Sequence, residues 1–266
     1  MKTVGIVGCG SLGAIVARGA AGRLRDQYRL VGLCDARFDL AHELGAELGC
    51  PTFAQIGEML ALKPDYIVEA AGCGALMSFA IDALESGCDL VVLSVGAFAD
   101  NEFYKNVEQT ATRLGRKIHV PSGAIGGFDV IRSAVWQGGL LSASITNAKP
   151  PVALEGAPFL EGKMLSETAQ EVIFEGSARE AISAFPKNVN VAVALAIASL
   201  GVDDTHVKVV SVPGLALNTH TIELEGAFGR ATLDIASTPS DNAGSSALAA
   251  HSVLARLENL SRAIQF

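Results

Sequence analysis

The sequence predicts an α/β fold: a doubly wound parallel sheet followed by a second, α+β domain. Three observations lead there. A glycine loop, Gly8-Cys-Gly10-Ser-Leu-Gly13, stands between an apolar run and a helix-like segment. Strand-like and helix-like segments then alternate as far as residue 120, the rhythm of parallel strands joined by crossover helices. Beyond Pro121 the short apolar runs give way to longer segments that alternate with a period of two, which implies a sheet with one face on a core and the other free.

In the first part, strands are expected at 4–7, 30–34, 52–53, 65–69, 89–94 and 118–120. Helices are expected at 11–24, 40–48, 55–62, 77–86 and 101–114. Runs such as Tyr66-Ile-Val and Leu90-Val-Val-Leu are apolar on both faces, as a sheet covered by helices on both sides requires. Ser122-Gly-Ala-Ile-Gly-Gly127 leads into a helix at 128–137. Strands follow at 143–148, 171–174, 206–212, 219–225 and 230–236, with helices at 179–184 and 189–200. Residues 245–264 form an amphipathic helix that returns to the first domain. The domains expected are therefore 1–120 plus 240–266, binding a dinucleotide, and 121–239, carrying substrate chemistry and dimerisation.

The dinucleotide reading rests on the glycine loop. Gly8 permits the tight turn, Gly10 lets the backbone approach a pyrophosphate, and Gly13 lets the helix pack close to the sheet. The first N–H groups of that helix, from Ser11 and Leu12 onward, face the phosphates. Asp35 ends the second strand, where a carboxylate accepts from a ribose 2′-hydroxyl. A carboxylate repels a 2′-phosphate, so NAD is expected as the preferred cofactor, with NADP tolerated because Arg37 follows closely. This is a Rossmann-type arrangement, whose ligands lie beyond the carboxyl ends of the strands.

Bulk properties narrow the partners. Half of the 266 residues are hydrophobic and the net charge is −8, which argues against nucleic acid as a general partner. No apolar run reaches the about 20 residues of a membrane span, and no basic leader precedes the first strand; a soluble cytoplasmic protein is expected. The five cysteines, Cys9, Cys34, Cys50, Cys73 and Cys88, are odd in number and contain no C-x-x-C. A disulfide framework and a zinc site are both disfavoured, so no metal is expected.

Among the histidines, His42, His119, His206 and His251 lie in settings that suit structural or solvated roles. His220 lies at the start of a strand among small polar residues, in Asn218-Thr-His220-Thr-Ile, and an imidazole can relay protons near neutrality. Phe185-Pro-Lys187-Asn-Val-Asn190 precedes an apolar helix. Asn188 is its expected N-cap, and such a helix start favours an anion. Lys149, ahead of two prolines, is either a carboxylate partner or a surface lysine.

Several phrases together resemble the L-aspartate dehydrogenases: Pro121-Ser-Gly-Ala124-Ile-Gly-Gly127, Lys149-Pro-Pro151, Phe174-Glu-Gly-Ser-Ala-Arg-Glu180, Phe185-Pro-Lys-Asn-Val-Asn190 and Asn218-Thr-His220-Thr-Ile-Glu223. The resemblance covers nearly the whole chain. It implies that Ala124 and Asn190 contact the dinucleotide and that His220 is the active-site residue. It implies oxidation of L-aspartate with NAD or NADP to iminoaspartate, then oxaloacetate and ammonia, a reversible reaction that can feed NAD biosynthesis. It also implies a homodimer. Candidates for the two substrate carboxylates are Ser122, Gly123, Lys149, Lys187 and Asn188. Sugar oxidoreductases carry a catalytic Glu-Lys-Pro where this chain reads Ser94-Val-Gly-Ala97. Dihydrodipicolinate reductases carry a double histidine with a nearby lysine, also missing here. Homoserine dehydrogenase and a non-catalytic dinucleotide sensor remain as alternatives.

Overall fold

The computed structural model describes residues 1–240 and 245–266. The expected re-entry of the chain at residue 240 runs into residues 241–244, which lie outside the described residues. Two compact units form: Met1–Gly123 with Ala249–Phe266, and Ala124–Leu248.

The first unit alternates β1 (Lys2–Val7), α1 (Ser11–Ala21), β2 (Tyr28–Cys34), α2 (Phe38–Leu48), β3 (Thr52–Phe53), α3 (Ile56–Leu60), β4 (Tyr66–Glu69), α4 (Cys73–Glu85), β5 (Asp89–Val92), α5 (Asn101–Leu114) and β6 (Ile118–His119). The strand order is β3-β2-β1-β4-β5-β6, and every pair is parallel. The order reverses between β1 and β4, the switch point of a doubly wound sheet, beyond which ligands bind. Val4, Ile6, Ile67, Val68, Leu90 and Val91 are fully buried, so the central strands are covered on both faces. The C-terminal helix, Ala247–Ser261, supplies Ala250, Val253 and Leu257 to the core around Val16, Ala20 and Tyr28. The Tyr28 hydroxyl donates to the Leu257 carbonyl at 2.8 Å.

Many element ends differ from the sequence expectation, and one side chain explains two of them. α4 starts at Cys73 rather than 77, and β5 stops at Val92 with a 3-10 turn over Val95–Ala99. Glu69, at the end of β4, accepts from the N–H groups of Ala71, Gly72 and Ser94. It thereby turns the chain into α4 early and draws Ser94 out of the strand ladder.

The second unit contains α6 (Phe128–Gln137), β7 (Leu140–Lys149), α7 (Pro151–Leu154), β8 (Glu171–Ser177), α8 (Ala178–Ala184), α9 (Asn190–Ala198), β9 (His206–Ser211), β10 (Asn218–Gly226) and β11 (Gly229–Ser237). Its mixed sheet runs β11-β10-β7-β9-β8, antiparallel except for the parallel β7–β9 pair. Alternation does what the pattern requires. Ala143, Ile145, Ile222, Leu224, Val207 and Val209 point to one buried face, while Glu223, Glu225, Thr232 and Asp234 face outward. Helix α9 is apolar all round and almost wholly buried. Asn188 does not cap it: Val189 holds the N-cap position without a side-chain bond, because the Asn188 amide is drawn to the Ala153 carbonyl at 2.8 Å.

Candidate active site

In the first unit the glycine loop closes as its spacing dictates. Gly8 has φ +97, a conformation that side-chain-bearing residues avoid, and its N–H bonds the Cys34 carbonyl at 2.8 Å. A Cβ at Gly13 would strike the Gly8 carbonyl oxygen, whereas a Cβ at Gly10 would meet nothing within 4 Å. The first contact forces glycine for packing. The second leaves an open approach to the backbone at the head of α1. Gly10 occupies the N-cap with no side-chain acceptor, so the amides of Ser11, Leu12 and Gly13 have no intrahelical partner. The Ser11 hydroxyl is buried without a partner as well. Asp35 accepts from the Cys9 N–H at 2.7 Å and the Arg37 N–H at 2.8 Å. It ties the glycine loop to the end of β2 and keeps lone pairs for a ribose. These residues fit a dinucleotide. Burial, with Asp35 nearby, pushes the Cys9 thiol up to about 12, so a thiolate there takes no part in the chemistry.

Glu69 is one of the residues that sequence reasoning missed. It is fully buried, and besides three backbone amides it accepts from the Ser94 hydroxyl at 2.7 Å. Burial raises its pKa and those four bonds oppose the rise. A lone acid ending an apolar strand ahead of Ala-Ala-Gly was the available signal.

In the second unit the polar residues gather at one end of the buried sheet face. His220 and Asn147 are direct partners across β10 and β7, and Lys149 pairs with Ser211 across β7 and β9. Opposed residues share a face. That face is apolar from Ala143 and Leu224 to Ile145 and Ile222, then becomes Asn147, His220, Lys149, Asn218 and Ser211, all buried. His220 Nδ1 lies 2.7 Å from Asn147 Oδ1. Burial, reinforced by the positive charge of Lys149, depresses the His220 pKa to about 3. Burial lowers that of Lys149 to about 8. Near neutrality the site therefore pairs an uncharged imidazole with an ammonium. Asn147 Nδ2, Ser211 Oγ and Asn218 Oδ1 are buried with no hydrogen-bond partner. Lys149 is thus no surface lysine.

The other expected residues divide. Ala124 is buried and Asn190, the first residue of α9, is half-buried. Ser122 is half-buried, but the Gly123 N–H is already given to the Ser252 hydroxyl at 3.0 Å. The Asn188 amide gives one N–H to the Ala153 carbonyl, and Lys187 is exposed. The Gly123 N–H is therefore already used, whereas Asn188 keeps a second amide N–H. The remaining histidines have other settings: His119 contacts Arg256 and His206 contacts Glu175, while His42 stacks on Phe38. Among the described residues no helix is long and apolar enough to cross a membrane.

Comparison with known proteins adds independent findings. A family model described as "Aspartate dehydrogenase, C-terminal" matches residues 129–260. Another, "Homoserine dehydrogenase, NAD binding domain", matches residues 8–121. The L-aspartate dehydrogenase of Methanosarcina acetivorans is 37% identical, covering 100% of this chain and 99% of the relative. That of Methanococcus maripaludis is 33% identical with the same coverage. A crystal structure of aspartate dehydrogenase from Thermotoga maritima matches at TM-score 0.76 and 26% identity, over 100% of this chain and 99% of that one. The WlbA dehydrogenase of Bordetella pertussis, solved with NADH and UDP-GlcNAcA, shares the fold at TM-score 0.57 and 16% identity, over 97% and 85%.

Proposed function

This chain belongs to the L-aspartate dehydrogenase family, and on that premise we propose which of its residues carry the reaction. It is an NAD(P)-dependent oxidoreductase acting on the CH–NH2 group of L-aspartate, which it converts to iminoaspartate and thence to oxaloacetate and ammonia. The nucleotide half alone also matches homoserine dehydrogenases, so the second half decides the substrate.

NAD, when bound, supplies the hydride acceptor. Gly8, Gly10, Ser11, Leu12 and Gly13 hold its diphosphate, and Asp35 its adenosine ribose. Ala124 and Asn190 complete its contacts. The Asp35 carboxylate favours NAD over NADP, because a 2′-phosphate beside it is repelled.

His220 moves the proton. The substrate ammonium must lose a proton before its lone pair can assist departure of the Cα hydrogen as hydride. An uncharged imidazole beside it accepts that proton, a contribution of about 10²–10⁴ in rate. A base with a pKa near 3 is weak, a consequence of burial and of the neighbouring Lys149 charge. Aspartate brings two carboxylates, whose field raises the imidazole pKa. Lys149 takes one of those carboxylates, with Ser122 and Lys187 as further candidates for the other. Once it has released that proton to solvent, the same imidazole activates water for attack on the imine carbon. A homodimer completes this reading, supported by the large exposed apolar side chains Trp136 and Leu141 in the second unit, and the cytoplasm is its place of action.

The observation that carries the assignment is the buried His220–Asn147 pair beside Lys149. Replacing His220 by alanine should leave NAD binding near parental and remove most turnover with L-aspartate. A variant that keeps more than about a tenth of parental kcat overturns the role.

A further inference from the structure

Asn147 has no assigned role, yet among the described residues it is the side chain hydrogen-bonded to the imidazole. It is fully buried, directly opposite His220 on the neighbouring strand, with Oδ1 2.7 Å from Nδ1. Its other end, Nδ2, is buried without an acceptor. We propose that Asn147 is the positioning residue that makes His220 a base: Oδ1 holds the imidazole as its Nδ1–H tautomer, and Nδ2 takes a substrate carboxylate oxygen. The inference rests on the catalytic role proposed for His220.

A neutral imidazole carries one proton, and the partner of one nitrogen decides which nitrogen keeps it. With Oδ1 as the partner, Nδ1 donates and Nε2 presents a lone pair. With the amide turned over, Nδ2 would donate to Nδ1, the proton would sit on Nε2, and the histidine would present only a hydrogen-bond donor, with no free lone pair to act as a base. One amide thus selects between a base and a mere hydrogen-bond donor. Strand pairing on both sides of β7 fixes the Asn147 backbone, so the side chain has little freedom to evade that choice. A buried donor without an acceptor is unfavourable. The acceptor that suits Nδ2 here is anionic, because Lys149 lies two residues along on the same face. A carboxylate seated against both would also hold the amide with its oxygen on the imidazole. Substrate binding and the basic form of His220 are thereby coupled through a single side chain.

The test uses the full-length protein labelled with 15N in its histidines. The parent should show the Nδ1–H tautomer for His220, opposite to the Nε2–H form that free histidine prefers. Asn147→Leu should revert to Nε2–H and lose about 10–100-fold in kcat/KM. The near-isosteric Asn147→Asp keeps an acceptor for Nδ1 but no donor. It should restore the Nδ1–H signal while raising KM for L-aspartate about tenfold or more, with KM for NAD within about twofold of the parent. An Nε2–H parent, or Nδ1–H persisting in Asn147→Leu, overturns the tautomer assignment. Parental KM for L-aspartate in Asn147→Asp overturns the carboxylate contact. If Asn147→Leu does not fold, the parent spectrum and Asn147→Asp still decide both points. An active His220→Ala would remove the catalytic premise and leave the tautomer result standing, so the two failures are distinguishable.

Discussion

Replacing Glu69 by glutamine tests what holds the carboxyl edge of the nucleotide unit together. Four donors converge on this one carboxylate. Ala71 and Gly72 N–H reach Oε1 at 2.8 Å, and the Ser94 hydroxyl reaches it at 2.7 Å. The Ser94 N–H reaches Oε2 at 2.9 Å. An ionised carboxyl is the side chain that only accepts, so every one of these groups is satisfied. Glutamine has the same shape but one oxygen. Its least costly placement keeps that oxygen under the three donors and turns its amino group against the Ser94 N–H. A bond to a charged acceptor is lost, worth about 1.5–3 kcal/mol, and a buried amide is left facing another donor at about 1–3 kcal/mol. Relief of the buried charge, which burial already disfavours, returns part of this, leaving a net cost of about 2 kcal/mol. In a unit of this size about 4 °C accompanies each kcal/mol, so the thermal midpoint should fall by about 8 °C. NAD affinity should drop with it, since the Gly72 and Ser94 loops lie at the edge where a doubly wound sheet binds its ligand. Circular dichroism melts and fluorescence titration with NAD measure both. A midpoint within about 2 °C of the parent would refute the hub assigned to Glu69.

Two further outcomes are expected. Asp35→Asn should lower the ratio of kcat/KM with NAD to that with NADP by about tenfold or more, the equivalent of roughly 1.4 kcal/mol of removed repulsion; an unchanged ratio in steady-state assays would contradict the role given to the carboxylate. Folding stability should also carry the mark of His220. Its folded pKa of about 3 lies below the ordinary 6.5, so the unfolded chain gains a proton first as pH falls. The stability linked to this group is therefore complete above about pH 6.5 and is lost toward pH 3, by at most about 1.4 kcal/mol per unit. Between pH 6.5 and 5 the parent should lose about 2 kcal/mol more than His220→Gln in urea titrations, and equal losses would show that the imidazole is not held neutral by burial.

Much of the fold was legible because its signals are local. The glycine loop and the two-sided apolar runs Tyr66-Ile-Val and Leu90-Val-Val-Leu specify a covered parallel sheet without knowledge of anything distant. The alternation in Thr219-His-Thr-Ile-Glu-Leu-Glu225 likewise separates a buried from an open face within one strand. Element ends were less legible, and the misses have tertiary causes. Gly72-Cys-Gly74 reads as loop, yet α4 begins there because Glu69 gathers the preceding amides. Asn188 reads as an N-cap, yet a carbonyl of a different helix, at Ala153, claims its side chain.

The candidate site was legible in part for the same reason. His220 shows itself by its polar neighbours at the start of a strand whose inner face then continues as Ile222 and Leu224. Asn147 does not, because its significance depends on register with a residue 73 positions away. Lys149 was undecided between surface and site until the sheet placed it on the buried face of β7. What the register adds is a reason for the polarity. A sheet face that is apolar along most of its length gains nothing in stability by ending in a buried lysine, two asparagines and a serine. Three of those side chains keep a polar atom without a partner, and each such atom costs about 1–3 kcal/mol. The unmatched groups include a donor at Asn147, an acceptor at Asn218 and a hydroxyl at Ser211, with a cation at Lys149 beside them. An α-amino dicarboxylate carries the complement of that set: oxygens for the donor and the cation, and N–H groups for the acceptor and for His220. On the proposed reading, the substrate accounts for the stability forgone on this face.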